Sequence, residues 1–250
     1  MPFRLFKTFA VASLLAVAGL SVQAADLTVS AAASLTNAFR DIGPLFEAVH
    51  PGSKVQFNFG ASGALLQQIS KGAPADVFAS ADSETMDQAQ KAHLVKQRRD
   101  FVSNTLVVVV PTSSARVPKA VADLALPAYA RIAIGLPASV PVGRYTRGVL
   151  EAANLWSVIE PKVIGANNVR QALDYVARAE VDAAFVYATD AALLPGKVKV
   201  ALTVPTTRPI RYPVASLVAA PNAADAGRFV DFLFTPPALA VLARYGFGKP

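Results

Sequence analysis

The sequence predicts an α/β protein folded in two lobes. Short apolar runs alternate along it with segments of helical period, the pattern produced when strands and their covering helices take turns. The run 106–110 is apolar throughout, which suits a strand buried on both faces, and it lies near the middle of the chain, where it can carry the backbone from one lobe into the next. The polar, proline-bearing stretch 205–213 precedes another apolar run and marks a return crossing. The expected lobes are 25–106 with 216–250, and 107–215, each a mostly parallel sheet flanked by helices.

In chain order, the first element is an export leader. Arg4 and Lys7 stand before an apolar run, 9–20, and the small-residue site Val22-Gln23-Ala24 follows. This is the form of a cleavable secretory signal, and the run is short for a membrane span. The leader is therefore expected to be 1–24, with the mature chain starting at Ala25. The sequence contains no cysteine, so it offers no lipid attachment through a thiol, no disulfide, no thiolate metal ligand and no Cys nucleophile. A freely soluble exported protein follows.

Beyond the leader, apolar runs predict strands at 26–30, 54–59, 77–81, 105–111, 131–135, 162–164, 183–187, 198–202 and 213–218. Helical-period segments between them predict helices at 34–50, 63–71, 83–92, 143–153 and 168–178. A final helical run spans 222–245, and Pro236-Pro237 must interrupt it, because proline blocks a helix interior. The 226 residues from Ala25 onward are enough for one large or two modest cores.

Four of the strand-to-helix turns bear on chemistry. Two are serine turns, at Ala32-Ala33-Ser34-Leu35 and Gly60-Ala61-Ser62-Gly63; two more, Val140-Pro141-Val142-Gly143-Arg144 and Gly165-Ala166-Asn167-Asn168-Val169-Arg170, lie in the second half. A helix start leaves backbone N–H groups without partners and carries about half a positive charge, so it holds an anion without Lys or Arg. A seryl hydroxyl adds a rotatable donor. In open α/β sheets such turns gather beyond the carboxyl ends of the strands, so turns from two lobes can face across one cleft. Tyr187, ending an apolar strand, can aim its phenol into the same cleft.

Each feature alone has a plainer reading. Ser34, Ser62, Asn167 and Asn168 are ordinary helix-cap residues, and Tyr187 a half-buried core residue. Arg144 and Arg170, at helix starts, read as surface charges, with Arg144 the better placed to steer an anion. His50 and His93 read as structural. Gly60-Ala61-Ser62-Gly63-Ala64 nearly spells a nucleophile elbow but fails at Ala64, and no histidine lies beyond His93 to serve Ser62, which speaks against an exported serine hydrolase. The formal charge of +7, or +5 without Arg4 and Lys7, is spread without dense clusters or interleaved aromatics, so nucleic acid is not an expected partner. A mild positive field favours the approach of small anions.

Taken together, Ala32-Ala33-Ser34-Leu35-Thr36-Asn37-Ala38-Phe39, Gly60-Ala61-Ser62-Gly63, Gly72-Ala73-Pro74-Ala75-Asp76-Val77-Phe78-Ala79-Ser80-Ala81-Asp82, Val140-Pro141-Val142-Gly143-Arg144-Tyr145, Val186-Tyr187-Ala188-Thr189-Asp190-Ala191 and Arg244-Tyr245-Gly246-Phe247 resemble the periplasmic molybdate-binding proteins of ABC importers over nearly the whole mature chain. The resemblance implies a type II periplasmic binding fold with two hinge crossings. It implies a periplasmic receptor without enzymatic activity or cofactor, most simply a monomer, whose partners are molybdate or tungstate and the transmembrane subunits of a permease. Carried over residue by residue, it implies Ser34 and Ser62 through hydroxyl and backbone, Val142 and Val169 through backbone N–H, and Tyr187 through its phenol. Val142 departs from the alanine common in the family, which bears on pocket size. Sulfate, phosphate or a small organic anion is the first alternative ligand, and a sensory protein that keeps the fold without a ligand is another.

Overall fold

The computed structural model describes residues 25–250; the expected leader, 1–24, lies outside the described residues. Strands β1 (Ala25–Ala32), β2 (Ser53–Gly60), β3 (Val77–Ala79) and β4 (Val95–Asn104) are followed by β5 (Leu106–Pro111), β6 (Ile132–Gly135), β7 (Val163–Ala166), β8 (Ala183–Tyr187), β9 (Val198–Val204) and β10 (Ile210–Leu217). They form two five-stranded sheets, in the orders β2-β1-β3-β10-β4 and β7-β6-β8-β5-β9. Between them run helices α1 (Thr36–Val49), entered through a 3₁₀ turn at Ala33–Leu35, α2 (Ser62–Ser70), α3 (Ser83–Lys91), α4 (Pro141–Ala152), α5 (Trp156–Ile159), α6 (Val169–Ala177), α7 (Ala188–Ala191), α8 (Ala223–Phe232) and α9 (Pro236–Arg244).

Both sheets are mixed rather than mostly parallel. β1 pairs in parallel with β2 and β3, and β6 with β7 and β8, whereas β10 runs antiparallel to β3 and β4, and β5 antiparallel to β8 and β9. The antiparallel pairs involve the strands that carry the chain between sheets. Only Thr105 separates β4 from β5, and residues 205–209 join β9 to β10. The two crossings lie close together, since Asn104 pairs with Ile210 and Leu106 with Val204. The boundary read at 215–216 falls inside β10, because that strand starts before Pro213 and accommodates it at a register shift.

One further difference has a physical cause. β4 has no counterpart among the expected strands, because Lys96, Arg98, Arg99 and Asp100 break its apolar pattern; it lies at a sheet edge, where charged residues face water and deter edge pairing. The last helical run is interrupted at the proline pair as expected: it breaks after Phe232, and Pro236 opens α9, a position where its missing N–H costs nothing.

The core of the first sheet is aromatic. Phe39, Phe46, Phe57 and Phe229 pack with ring centroids 5.2 to 6.4 Å apart, and Gly43 lets α1 close on β2, since a Cβ there would stand 3.0 Å from the Phe57 ring. Phe39, Phe46 and Phe229, fully buried, each contribute about 1.5–3 kcal/mol. Asp76, also buried, accepts from the N–H groups of Thr28 at 2.8 Å and Asn222 at 2.6 Å, tying β1 to the entrance of α8. In the second sheet β5 is buried along its whole length. These cores hold the carboxyl ends of β1, β2, β6 and β8 toward the space between the sheets.

Candidate functional site

Four helix starts meet in that space. Ser34 lies in the turn that leads into α1, Ser62 opens α2, Val142 is the second residue of α4 and Val169 the first of α6. Three of these starts carry poor capping residues, Ala32, Ala61 and Val140, and none of the three has a side-chain cap. The fourth has Asn168, whose Oδ1 accepts from the Gln171 N–H at 3.0 Å and leaves the N–H of Val169 to face inward. At three of the four starts, local sequence has thus withheld the usual caps where first-turn N–H groups converge. Pro141 fits the α4 start because that position needs no donor. Gly143 packs the same turn directly on the end of β6, where any Cβ would fall 1.8 Å from the Gly135 carbonyl oxygen.

The structure brings all five residues singled out from the sequence, Ser34, Ser62, Val142, Val169 and Tyr187, onto one cavity of about 10 Å³. That is below the roughly 300–1,000 Å³ of pockets for drug-sized ligands. No side chain lining it is charged, and all five residues are at most 5% exposed. Ser62 Oγ accepts from the Ala81 N–H at 3.0 Å, so its own proton is left for the cavity. Ser34 Oγ lies 2.9 Å from the phenol of Tyr212. The Tyr187 phenol donates to the Ala81 carbonyl across 3.4 Å, a long bond that yields readily to a better acceptor. Burial pushes this phenol well above its ordinary range, with nearby tyrosines and carboxylates adding to the effect, so it stays a donor.

The two lobes touch around this cavity. The Gly63 N–H donates to the Ser139 carbonyl at 3.0 Å, and the contact needs glycine, because a Cβ at 63 would stand 2.7 Å from that oxygen. Arg144 and Arg170, read from the sequence as surface charges, instead bridge the lobes. Arg144 donates from Nε to Asp82 at 2.9 Å and from Nη2 to Thr85 Oγ1 at 2.5 Å; its side chain is 16% exposed and that of Asp82 3%. Arg170 donates to Asn37 Oδ1 at 2.8 Å and to the Ser34 carbonyl at 3.2 Å, and pairs with Asp190 at 2.5 Å. Their acceptors come from the opposite lobe or a distant turn, so a single helix start gives no sign of them. Burial raises Asp190 to about 6 against the pull of Arg170.

A larger cleft of about 460 Å³ beside the second crossing includes Asp82, Glu84, Asp87, Arg144, Arg208 and Arg211. Its opposite charges lie side by side, and it has no converging helix starts. Tyr212, which stands directly behind Ser34, and Asn104, which bonds Tyr212 in turn, are neighbours of the site that the sequence does not announce; both sit in elements whose local pattern speaks only of strand.

A family model for bacterial extracellular solute-binding proteins matches residues 27–248. The molybdate-binding protein ModA of Escherichia coli (strain K12) is 39% identical over 229 residues, covering 88% of this chain and 88% of that one. Among solved structures, the substrate binding domain of a putative molybdenum ABC transporter from Clostridium difficile is 33% identical, with a TM-score of 0.67 over 90% of this chain and 99% of the other. The sulfate-binding protein SubI of Mycobacterium tuberculosis H37Rv shares the fold, with a TM-score of 0.79 over 90% and 86% of the two chains at 20% identity. The two mixed sheets with paired crossings are those of the two-lobed type II periplasmic binding fold. With the family model spanning nearly every described residue, the chain belongs to the bacterial extracellular solute-binding proteins, and molybdate-binding proteins are among its relatives.

Proposed function

We propose that this protein is a periplasmic receptor for molybdate, and for the similarly sized tungstate, that delivers the oxyanion to the transmembrane subunits of an ABC importer. The observation that carries this reading is the convergence of Ser34, Ser62, Val142, Val169 and Tyr187 on one small cavity free of charged side chains. Two hydroxyls, a phenol and the helix-start N–H groups supply on the order of seven donors, and each is worth about 1.5–3 kcal/mol to a charged acceptor. After the cost of stripping water from the anion, that sum supports sub-micromolar binding, which needs more than about 8 kcal/mol. In this reading the lobes are 25–104 with 210–250, and 106–204, and the paired crossings are the hinge.

Neutral donors do not separate oxyanions by charge. Selection therefore rests on size, with the smaller sulfate leaving donors at stretched distances. Ligand held by both lobes favours their contact, and the contacted form is the shape a permease can read. No histidine lines the cavity, so nothing there activates Ser62 as a nucleophile, and this supports a receptor over a hydrolase. The protein acts as a monomer without cofactor.

Isothermal titration of the chain from Ala25 with molybdate, tungstate and sulfate tests the reading, with Ser34→Ala and Ser62→Ala alongside. One-to-one binding of the first two anions, weak sulfate binding and loss in both variants are expected. Equal affinity for sulfate, or full affinity in the serine variants, would overturn the ligand or the site.

A further inference from the structure

Ser34 does not stand alone against the cavity wall. Its Oγ lies 2.9 Å from Tyr212 Oη, and Tyr212 Oη lies 3.2 Å from Asn104 Nδ2. Asn104 is the last residue of β4, at the crossing between the lobes. Its amide orientation is set by its own neighbours: Oδ1 accepts from the Thr105 N–H at 2.9 Å, so Nδ2 must be the atom that faces Tyr212 and also Thr189 Oγ1, at 2.9 Å. An amide nitrogen only donates. Tyr212 Oη therefore accepts from Asn104 and has one proton left, which goes to Ser34 Oγ. Ser34 Oγ, already accepting, turns its own proton toward the cavity.

The chain of bonds has a direction that starts at the crossing and ends as a donor aimed at the ligand. Tyr212 is buried, and burial pushes its phenol well above the ordinary range, so the relay keeps its proton. We propose that Asn104 and Tyr212 are positioning residues that fix the Ser34 hydroxyl as a proton donor to the bound oxyanion. Neither touches the ligand; they act through Ser34. Because Asn104 also holds Thr189 of the second lobe, the donor is set only when the crossing has brought Thr189 and Tyr212 to the same amide. The proposal rests on the oxyanion-receptor reading above.

The direction can be reversed by one isosteric change. In Asn104→Asp, the oxygen that replaces Nδ2 accepts from Tyr212, whose oxygen then draws the Ser34 proton and leaves Ser34 with lone pairs facing the anion. Molybdate titration of the full chain is run on wild type, Tyr212→Phe, Asn104→Asp and the double variant, with thermal melts to check folding. Tyr212→Phe is expected to weaken binding about five- to tenfold, by freeing the Ser34 hydroxyl to turn. Asn104→Asp is expected to weaken it by more than about 100-fold, and the double variant to bind more tightly than Asn104→Asp alone, because phenylalanine cuts the relay.

A purely structural role, or a carboxylate repelling the anion through space, gives no such rescue. A double variant no tighter than Asn104→Asp, or a Tyr212→Phe protein that binds like wild type, would overturn the proposal while leaving the receptor reading intact. Failure of the wild-type protein to bind any oxyanion would overturn both.

Discussion

Adding one methyl group at Gly63 is expected to raise or hold the stability of the unliganded protein while cutting its affinity. Gly63 is the second residue of α2 and has no positive φ, so alanine fits the helix and gains up to about 1 kcal/mol from the lower entropy of the unfolded chain. Across the cleft the same methyl meets the second lobe, 2.7 Å from the Ser139 carbonyl oxygen and 2.9 Å from Ser139 Cα. Ordinary C···O contacts begin near ~3.3 Å, so the lobes must stay apart by at least ~0.6 Å at this point. The Ser139 loop is not free to yield, because the Ser139 and Val140 N–H groups both bond to the Leu136 carbonyl, at 3.1 and 2.8 Å. The variant loses the Gly63–Ser139 bond, about 0.5–1.5 kcal/mol, and stretches the donors that the two lobes present to one anion. Together these cost about 2–3 kcal/mol, a 30- to 150-fold loss of affinity. Molybdate titration and melting of the unliganded protein read the two signs separately. A Gly63→Ala protein that binds within twofold of wild type would refute the reasoning, since it would mean that binding needs no contact between the lobes at Ser139.

Arg144→Gln removes the pair with Asp82, while Asp82 keeps the Ser80 hydroxyl at 3.0 Å and the Thr85 N–H at 3.2 Å; the expected loss is about 1–3 kcal/mol of affinity, or 5- to 150-fold, by titration. Arg147→Gln, which breaks a half-exposed pair with Glu151 and the stacking of Arg147 over Trp156, both away from the cavity, should change affinity less than twofold in the same assay. Asp190 has a folded-state value of about 6, above the ordinary 3.8, so its contribution to stability is fully present below pH 3.8 and is lost as the pH rises through 6. Melts of wild type and Asp190→Asn should therefore show the wild-type advantage shrinking from pH 4.5 to 7.5, by at most about 1.4 kcal/mol per pH unit, and a constant difference would disprove the assignment. Because the one ionisable group on the cavity, Tyr187, is held well above its ordinary range, affinity should be flat from pH 7 to 9.

The sequence revealed the parts of this molecule that depend on local pattern. Strands such as Ala183–Tyr187 are continuous apolar runs, and the serine turns announce themselves through small residues between a strand and a helix. What it hid depends on partners far away in the chain. β4 is a strand only because β10, more than 100 residues later, offers it an edge. Arg144 and Arg170 reach Asp82, Thr85, Asn37 and the Ser34 carbonyl across the cleft. Tyr212 is 178 residues from Ser34. Its position before Pro213 was the sole local hint, and that proline read as a linker instead of a bulge.

The placement of charge in the site follows from what a receptor must do. Arg170 holds the carbonyl of Ser34 and Arg144 holds Asp82, next to Ala81, so both cations stand one residue behind the cavity wall and neither lines it. A guanidinium inside would attract molybdate, sulfate and phosphate alike, because charge is common to all three, and would add strength without choice. Fixed neutral donors discriminate by distance, while the arginines act on the contact between lobes, which every bound anion shares. Affinity then separates into a closing step common to all ligands and a fitting step particular to each. Arg144→Gln should accordingly weaken molybdate, tungstate and sulfate by one common factor and leave their ratios unchanged, whereas Ser34→Ala should alter the ratios. A change of selectivity in Arg144→Gln would show that closing and fitting are not separable, and that the arginine shapes the cavity itself.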